Sequence, residues 1–308
     1  MTVDNGKKDK SFNLGRFMNK DAVAGYIFAA PFIIGFLFIM IVPMGMSLYY
    51  SFTNFTLGRE YRWVGLDNYI RLFFNNFTDF HNSVFVTFRF VLLSVPTRMV
   101  FGLAIAYILT RKMRGVHFYR SVYYLPTLIG GSIAVALVWG QLFQENGVVY
   151  NLLEAVGIGG VHWFGSVSLA IYPLVAMSVW QFGAAMIIFA AGLKDIPETY
   201  YEAAEIDGAN KWQSFFKITL PCLSPIILYN LVMQTISAFM SFTQAFVITG
   251  GGPAGGTNFV ALYIYQHAFV WRNMGYASAM SWVLLLIVSI STAIILLTSR
   301  RWTFYAND

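Results

Sequence analysis

Five long stretches of the chain contain no Asp, Glu, Lys or Arg: residues 22–58, 121–144, 155–193, 218–271 and 273–299. A helix crossing the hydrocarbon core of a bilayer needs about 20 largely apolar residues. Each stretch is long enough to supply one, and they predict spans near 24–48, 121–143, 169–193, 221–248 and 275–298. A sixth span, near 84–110, is apolar but interrupted by Arg89 and Arg98. The 15 residues 257–271, TNFVALYIYQHAFVW, are too short for a seventh and read as a short external helix or re-entrant piece, preceded by the flexible GGGPAGG at 250–256. The fold class is therefore all-α: a six-helix polytopic membrane bundle.

Composition removes the soluble alternative. The 308 residues are 57% apolar and 11% charged, with a mean hydropathy of +0.61. A soluble domain is roughly 45–50% apolar and about 25% charged, so these helices have too little polar surface to be the core of one. Disorder is excluded too, because 18% of the residues are aromatic. The first apolar stretch is longer than the apolar region of a signal peptide and ends at no clear small-x-small site, so it is expected to stay as a span.

The net charge of +6 suggests nucleic acid only until the charges are located. Fourteen of the Lys and Arg residues fall before the first span, between spans two and three, between four and five, or after the sixth. Only Arg59, Arg62, Arg71 and Arg272 fall on the opposite side. Lys and Arg accumulate on the cytoplasmic side of membrane proteins, so both termini are expected there, with membrane lipid and no nucleic acid as partner. The organisation is a basic cytoplasmic tail at 1–21, a six-span domain at 22–300 and a second tail at 301–308. The six-span domain contains a polar loop at 194–221 and an external loop with short helix at 250–274.

Residues 194–221, KDIPETYYEAAEIDGANKWQSFFKITLP, are the most charged internal stretch. Pro197 and Glu198 suit the first turn of a helix, Gly208 suits a left-handed stop, and ANKWQSFFKI starts a second short helix. Two short helices along the cytoplasmic face are expected. Within the loop, Glu202-Ala203-Ala204, three residues, Gly208, nine residues, Ile218, one residue and Leu220-Pro221 form a pattern of seven fixed positions. It would arise by chance on the order of once in 10⁸ starts on ordinary composition.

This pattern, with its six spans, resembles the EAA loop of the permease subunits of ABC importers. RKMRGVHFYRSVYYLPTLIGG at 111–131, TGGGP at 249–253, and YIYQHAF with GYASAMS within 263–281 resemble the maltose and glycerol-phosphate branch. GGGPAGG departs from that branch's usual GGP followed by Ser and Thr. The resemblance covers residues 20–300 and implies the type I ABC importer permease fold and a place in the bacterial plasma (inner) membrane. It implies that the loop, Glu202, Ala203, Ala204, Asp207, Gly208, Ile218, Leu220 and Pro221 included, seats in a groove of a separate ATPase. The implied partners are two copies of that ATPase, a second permease subunit and an external sugar-binding protein. The chain carries no GxxxxGK[ST] phosphate loop, so ATP and Mg are expected on the ATPase and no cofactor on this chain.

The expected fifth span carries Asn230, Gln234, Ser237, Ser241 and Gln244, spaced 4, 3, 4 and 3 residues apart and so on one helical face. Amides are costly against lipid, so the stripe is expected to face inward. It lines a solute path or supplies hydrogen bonds between helices. Sugars offer hydroxyl edges and C–H faces, and Trp180 and Gln181 in the fourth span are the aromatic and amide complement; the resembled family places its sugar contacts on these two spans. Arg98 sits near the centre of the second span, where a charge costs about 2.5–3.5 kcal/mol on insertion scales. No Asp or Glu lies inside a span to pair with it. It bonds backbone carbonyls, meets an acid of a partner subunit, or serves an anionic solute.

A membrane-embedded enzyme would need His, Asp or Glu clustered in the spans. The four histidines, His81, His117, His162 and His267, are far apart, and Cys222 is the only cysteine. No catalytic or metal-binding residue is assigned. The expected function is half of the translocation pathway for a carbohydrate, an oligosaccharide by the branch it resembles; the alternatives are a glycerol phosphoester or an acidic, uronate-containing oligosaccharide.

Overall fold

The computed structural model describes residues 21–75, 77–110, 114–157 and 161–304. The basic tail up to residue 20, Arg111 and Lys112 of the second basic cluster, and residues 305–308 lie outside the described residues. Every regular element among the described residues is a helix, with isolated bridges at Thr53–Trp63 and Thr56–Asn273. The chain divides into two compact units, Met1–Tyr50 and Ser51–Asp308.

The first unit holds most of α1, which runs as Asp21–Phe36, a π-helical turn at Leu37–Ile41 and Val42–Ser51. Its stretch Gly25–Ser51, with a mean hydropathy of 2.5 over an 18-residue window, is long and apolar enough to cross a membrane.

In the second unit the central element is α2, Phe77–Leu109, which extends seven residues before the expected start of the second span at 84. The expected third span is not one helix. It is α3, Val116–Ile129, followed after a 98° bend by the apolar Ile133–Ala155, whose helical parts are α4, Ile133–Phe143, and α5, Val148–Ala155. Gly130 and Gly131 end α3, and the Ser132 side chain accepts from the Val135 N–H (3.3 Å) to start α4. The fourth span is also in two pieces, α6, Ile171–Trp180, and α7, Gly183–Asp195, bent by 43°. Counting each bent pair as one crossing gives six candidate spans among the described residues.

Two further expectations are corrected after α8, Glu198–Ile206. The second short helix of the polar loop is not separate from the fifth span. Lys211–Ser214 passes through a π-helical turn at Phe215–Thr219 into Leu220–Phe239, one 29-residue rod, α9. That rod ends at Phe239 and not near 248, so the five-residue polar stripe is broken. The expected short helix is present as α10, Val260–Val270, and the last span is α11, Met274–Ser299.

Helix association in lipid depends on close packing, since lipid tails are as apolar as leucine. Phe90, Ile171, Leu174, Phe259 and Leu262 form one buried cluster; Ala106, Ala185, Met186 and Phe189 form another where α2 meets α7. Small residues set the spacing. A Cβ on Gly102 would lie 3.2 Å from Ala185 Cβ, and one on Gly183 would lie 2.6 Å from the Tyr123 carbonyl oxygen on α3. Gly183→Ala is therefore expected to destabilise the bundle by about 1–3 kcal/mol through overpacking, measured as a lower temperature for loss of the monodisperse peak in detergent. Gly131→Ala is the control, because its Cβ would meet nothing within 4 Å. Equal melting of the two variants would defeat the close-approach account.

Candidate functional site

The polar loop ends α8 with a Schellman closure. Gly208 has φ +76°, its N–H donates to Glu205 O (3.0 Å), and the Ala209 N–H donates to Ala204 O (2.8 Å). A capping box then starts α9, with Asn210 and Gln213 exchanging side-chain to backbone bonds of 2.9 and 2.7 Å. Pro197 is the N-cap of α8 and not part of its first turn. Glu202, Ala203, Asp207 and Gly208 are exposed, Ala204, Ile218, Leu220 and Pro221 half-buried. Beside them Ile206 and the stacked pair Trp212–Phe216 are also exposed. A tight, exposed elbow of small, acidic and apolar residues suits a groove on another protein.

A contact absent from the sequence pattern fastens this elbow. The Tyr201 phenol on α8 lies 2.9 Å from Thr219 Oγ1 on α9. Thr219 Oγ1 in turn donates to Ser214 O (3.4 Å), so the tyrosine hydroxyl is the donor of the pair. Burial pushes the Tyr201 hydroxyl above its usual pKa, which keeps it protonated for that role. Position 201 shows no signal in the sequence; only folding the loop back places it beside Thr219.

The second cluster lies at the break between α6 and α7. Gln181 caps α6, and its carbonyl oxygen accepts from Arg98 Nε (3.2 Å), Arg98 Nη2 (2.8 Å) and Thr127 Oγ1 (3.1 Å). One backbone oxygen thus joins α2, α3 and the two halves of the fourth span. Its position explains the cation, since the carbonyls at a helix C-terminus lack intrahelical donors and attract positive charge. The Gln181 side chain donates to Gly130 O (3.3 Å), where α3 ends. Trp180 meets Trp139 in a tilted ring pair at 5.4 Å; the Trp139 indole N–H donates to Pro173 O (2.9 Å), and Trp180 borders an apolar cavity of about 550 Å³. Of the predicted residues, Trp180, Gln181 and Arg98 are therefore adjacent.

The polar stripe divides. Asn230 and Gln234 are buried on α9, and Asn230 Nδ2 donates to Ile226 O of its own helix (3.1 Å). Ser237 is exposed. Ser241 lies in the turn after the helix, its N–H donating to Ala238 O (3.1 Å). Gln244 precedes the π-helical turn Ala245–Thr249, its Oε1 buried with no hydrogen-bond partner.

The comparisons extend over nearly the whole chain. A family described as binding-protein-dependent transport system inner membrane component matches residues 20–303. The chain is 50% identical over 295 residues, 95% of each sequence, to the probable ABC transporter permease protein YesP of Bacillus subtilis. It is 31% identical over 286 residues, 92% of this chain and 95% of the relative, to the trehalose/maltose transport system permease protein MalF of Thermococcus litoralis. A chain of the bacterial alginate ABC transporter, solved in complex with an alginate pentasaccharide-bound periplasmic protein, superposes with a TM-score of 0.78 over 94% of this chain and 97% of that one, at 23% identity. That likeness is one of fold.

Proposed function

Because this chain belongs to the family of binding-protein-dependent transport system inner membrane components, we propose that it forms half of the translocation path of an ATP-driven importer for a carbohydrate delivered by an external binding protein. It is a multi-pass protein of the inner membrane. The basic residues put both termini and the elbow at 194–221 on the cytoplasmic side. There two copies of an ATPase, which bind ATP and Mg, meet this chain and a second permease subunit. The exposed elbow closed by Gly208 carries the coupling reading. Relatives named for trehalose and maltose and for starch degradation products support the choice of solute. Arg98 is committed to the Gln181 carbonyl, which favours a structural role for it over an anion-binding one.

The test is reconstitution with the second permease, the ATPase and the external protein in liposomes. Uptake of malto-, arabino- or galacturono-oligosaccharides is expected only with ATP on the ATPase side and the binding protein on the other. Uptake of none of them would overturn the carbohydrate reading.

Asn230 and Gln234 supply polar groups to the interior. Gln234→Leu is expected to lower uptake severalfold with normal assembly and unchanged sugar binding by the isolated external protein. It leaves a buried solute hydroxyl without its partner, a loss of about 1–3 kcal/mol. A complex that dissociates in detergent would show that Gln234 is packing glue.

A further inference from the structure

A second pocket, of about 560 Å³, lies away from the Arg98 cluster. It is bounded by the end of α4 and the residues after it, by the turn at 162–165, and by residues 248–253. Its size is within the roughly 300–1,000 Å³ of small-molecule sites. Phe143, Trp163 and Phe164 give it ring faces; Gln144, Glu145 and His162 give it polar edges.

The pocket is built before any ligand arrives. His162 Nδ1 lies 2.7 Å from Glu145 Oε1. A carboxylate only accepts, so the proton is on Nδ1 and Glu145 keeps its second oxygen as an acceptor. The wall at 249–253 is pinned by Thr257, which is fully buried and donates to Gly252 O (2.7 Å).

From this pocket a run of rings leads to the fourth-span break. Trp163 meets Phe143 at 5.8 Å, Phe143 meets Trp139 at 5.7 Å, and Trp139 meets Trp180 at 5.4 Å between ring centres. Phe143 and Trp163 also border the apolar cavity beside Trp180. Ring faces with acceptors and amides at the edge suit a molecule with C–H faces and hydroxyl edges.

We propose that this outer pocket is a separate carbohydrate-binding site. A sugar ring lies there against Phe143 and Trp163, its hydroxyls bonded by Glu145 and Gln144, and the ring run guides it toward Trp180. The inference rests on the reading of the chain as a carbohydrate importer with this end facing outward.

The test measures occupancy directly. In the assembled complex with Cys222→Ser, Phe164→Cys, or Gly165→Cys where the first does not assemble, places a thiol in the pocket for maleimide labelling. Maltotriose, arabinotriose and trigalacturonate are the probes. At least one is expected to slow labelling by roughly threefold, the protection given at about twice its Kd. Trp163→Ala should remove the protection and Trp163→Phe restore it. Failure of every probe to protect, equal protection in Trp163→Ala, or thiols that never react in the complex would each overturn the site. Import of a probe while none of the three protects overturns the pocket alone and leaves the importer reading standing; absence of both import and protection overturns both.

Discussion

Gly208→Val is expected to reduce uptake at least about tenfold while the complex still assembles. The left-handed conformation costs an L-residue roughly 1–2 kcal/mol, and a β-branched one more. Gly208 has φ +76°, yet a Cβ there would meet nothing within 4 Å. The penalty is therefore wholly in the backbone, and the chain escapes it by leaving the helix differently. That breaks the closures onto Ala204 and Glu205 and moves Glu202–Ala204 relative to the rod beginning at Lys211. The spans are untouched, so insertion is unaffected. Asn tolerates the left-handed region better than other residues with a Cβ, so uptake should fall in the order Gly, Asn, Ala, Val. Measured at equal amounts of complex, with ATP hydrolysis followed in parallel, the Val variant should hydrolyse ATP without matching transport. A flat series would sink the coupling role of the elbow.

Arg98→Gln is expected to weaken the whole subunit and to depress every transported sugar alike. Two of the three side-chain bonds to the Gln181 carbonyl come from this guanidinium. Hydrogen bonds to charged groups contribute about 1.5–3 kcal/mol each. An amide supplies one neutral donor in place of a charged fork, and lysine a single point charge, so Arg98→Lys should recover only part of the loss. Thermal melting of the purified complex and uptake of neutral and acidic oligosaccharides of equal length are the measurements. A fall confined to acidic oligosaccharides, with normal melting, would overturn the positioning role and make Arg98 a solute contact.

The residues that were legible in the sequence are those whose physics is local. Gly208 could be assigned its left-handed stop because an amphipathic segment ended there and only glycine enters that region freely. The short helix at 260–270 was legible from length, being too short to cross a bilayer. The stripe from Asn230 to Gln244 was misjudged at its end for the same local reason. Its 4, 3, 4, 3 spacing continues past Phe239, whereas the helix stops at that residue without a proline or glycine to announce it. Periodicity reports what a helix would do with those side chains, not whether the helix persists.

The sequence by itself determined the helical, membrane-spanning class, the expected sidedness from its basic residues, and the elbow at 194–221. Each follows from composition, charge or short-range backbone preference, which neighbouring residues settle among themselves. Only the tertiary structure decided that Arg98 closes on the Gln181 carbonyl 83 positions away. Tertiary structure alone also joined Tyr201 to Thr219 and set Trp163, Phe143, Trp139 and Trp180 ring against ring. The reason is that a broken helix exposes carbonyls and ring faces with no partner of their own in the chain nearby. What satisfies them is whichever distant side chain close packing brings within reach, and that depends on how near glycines such as Gly102 and Gly183 let the helices approach.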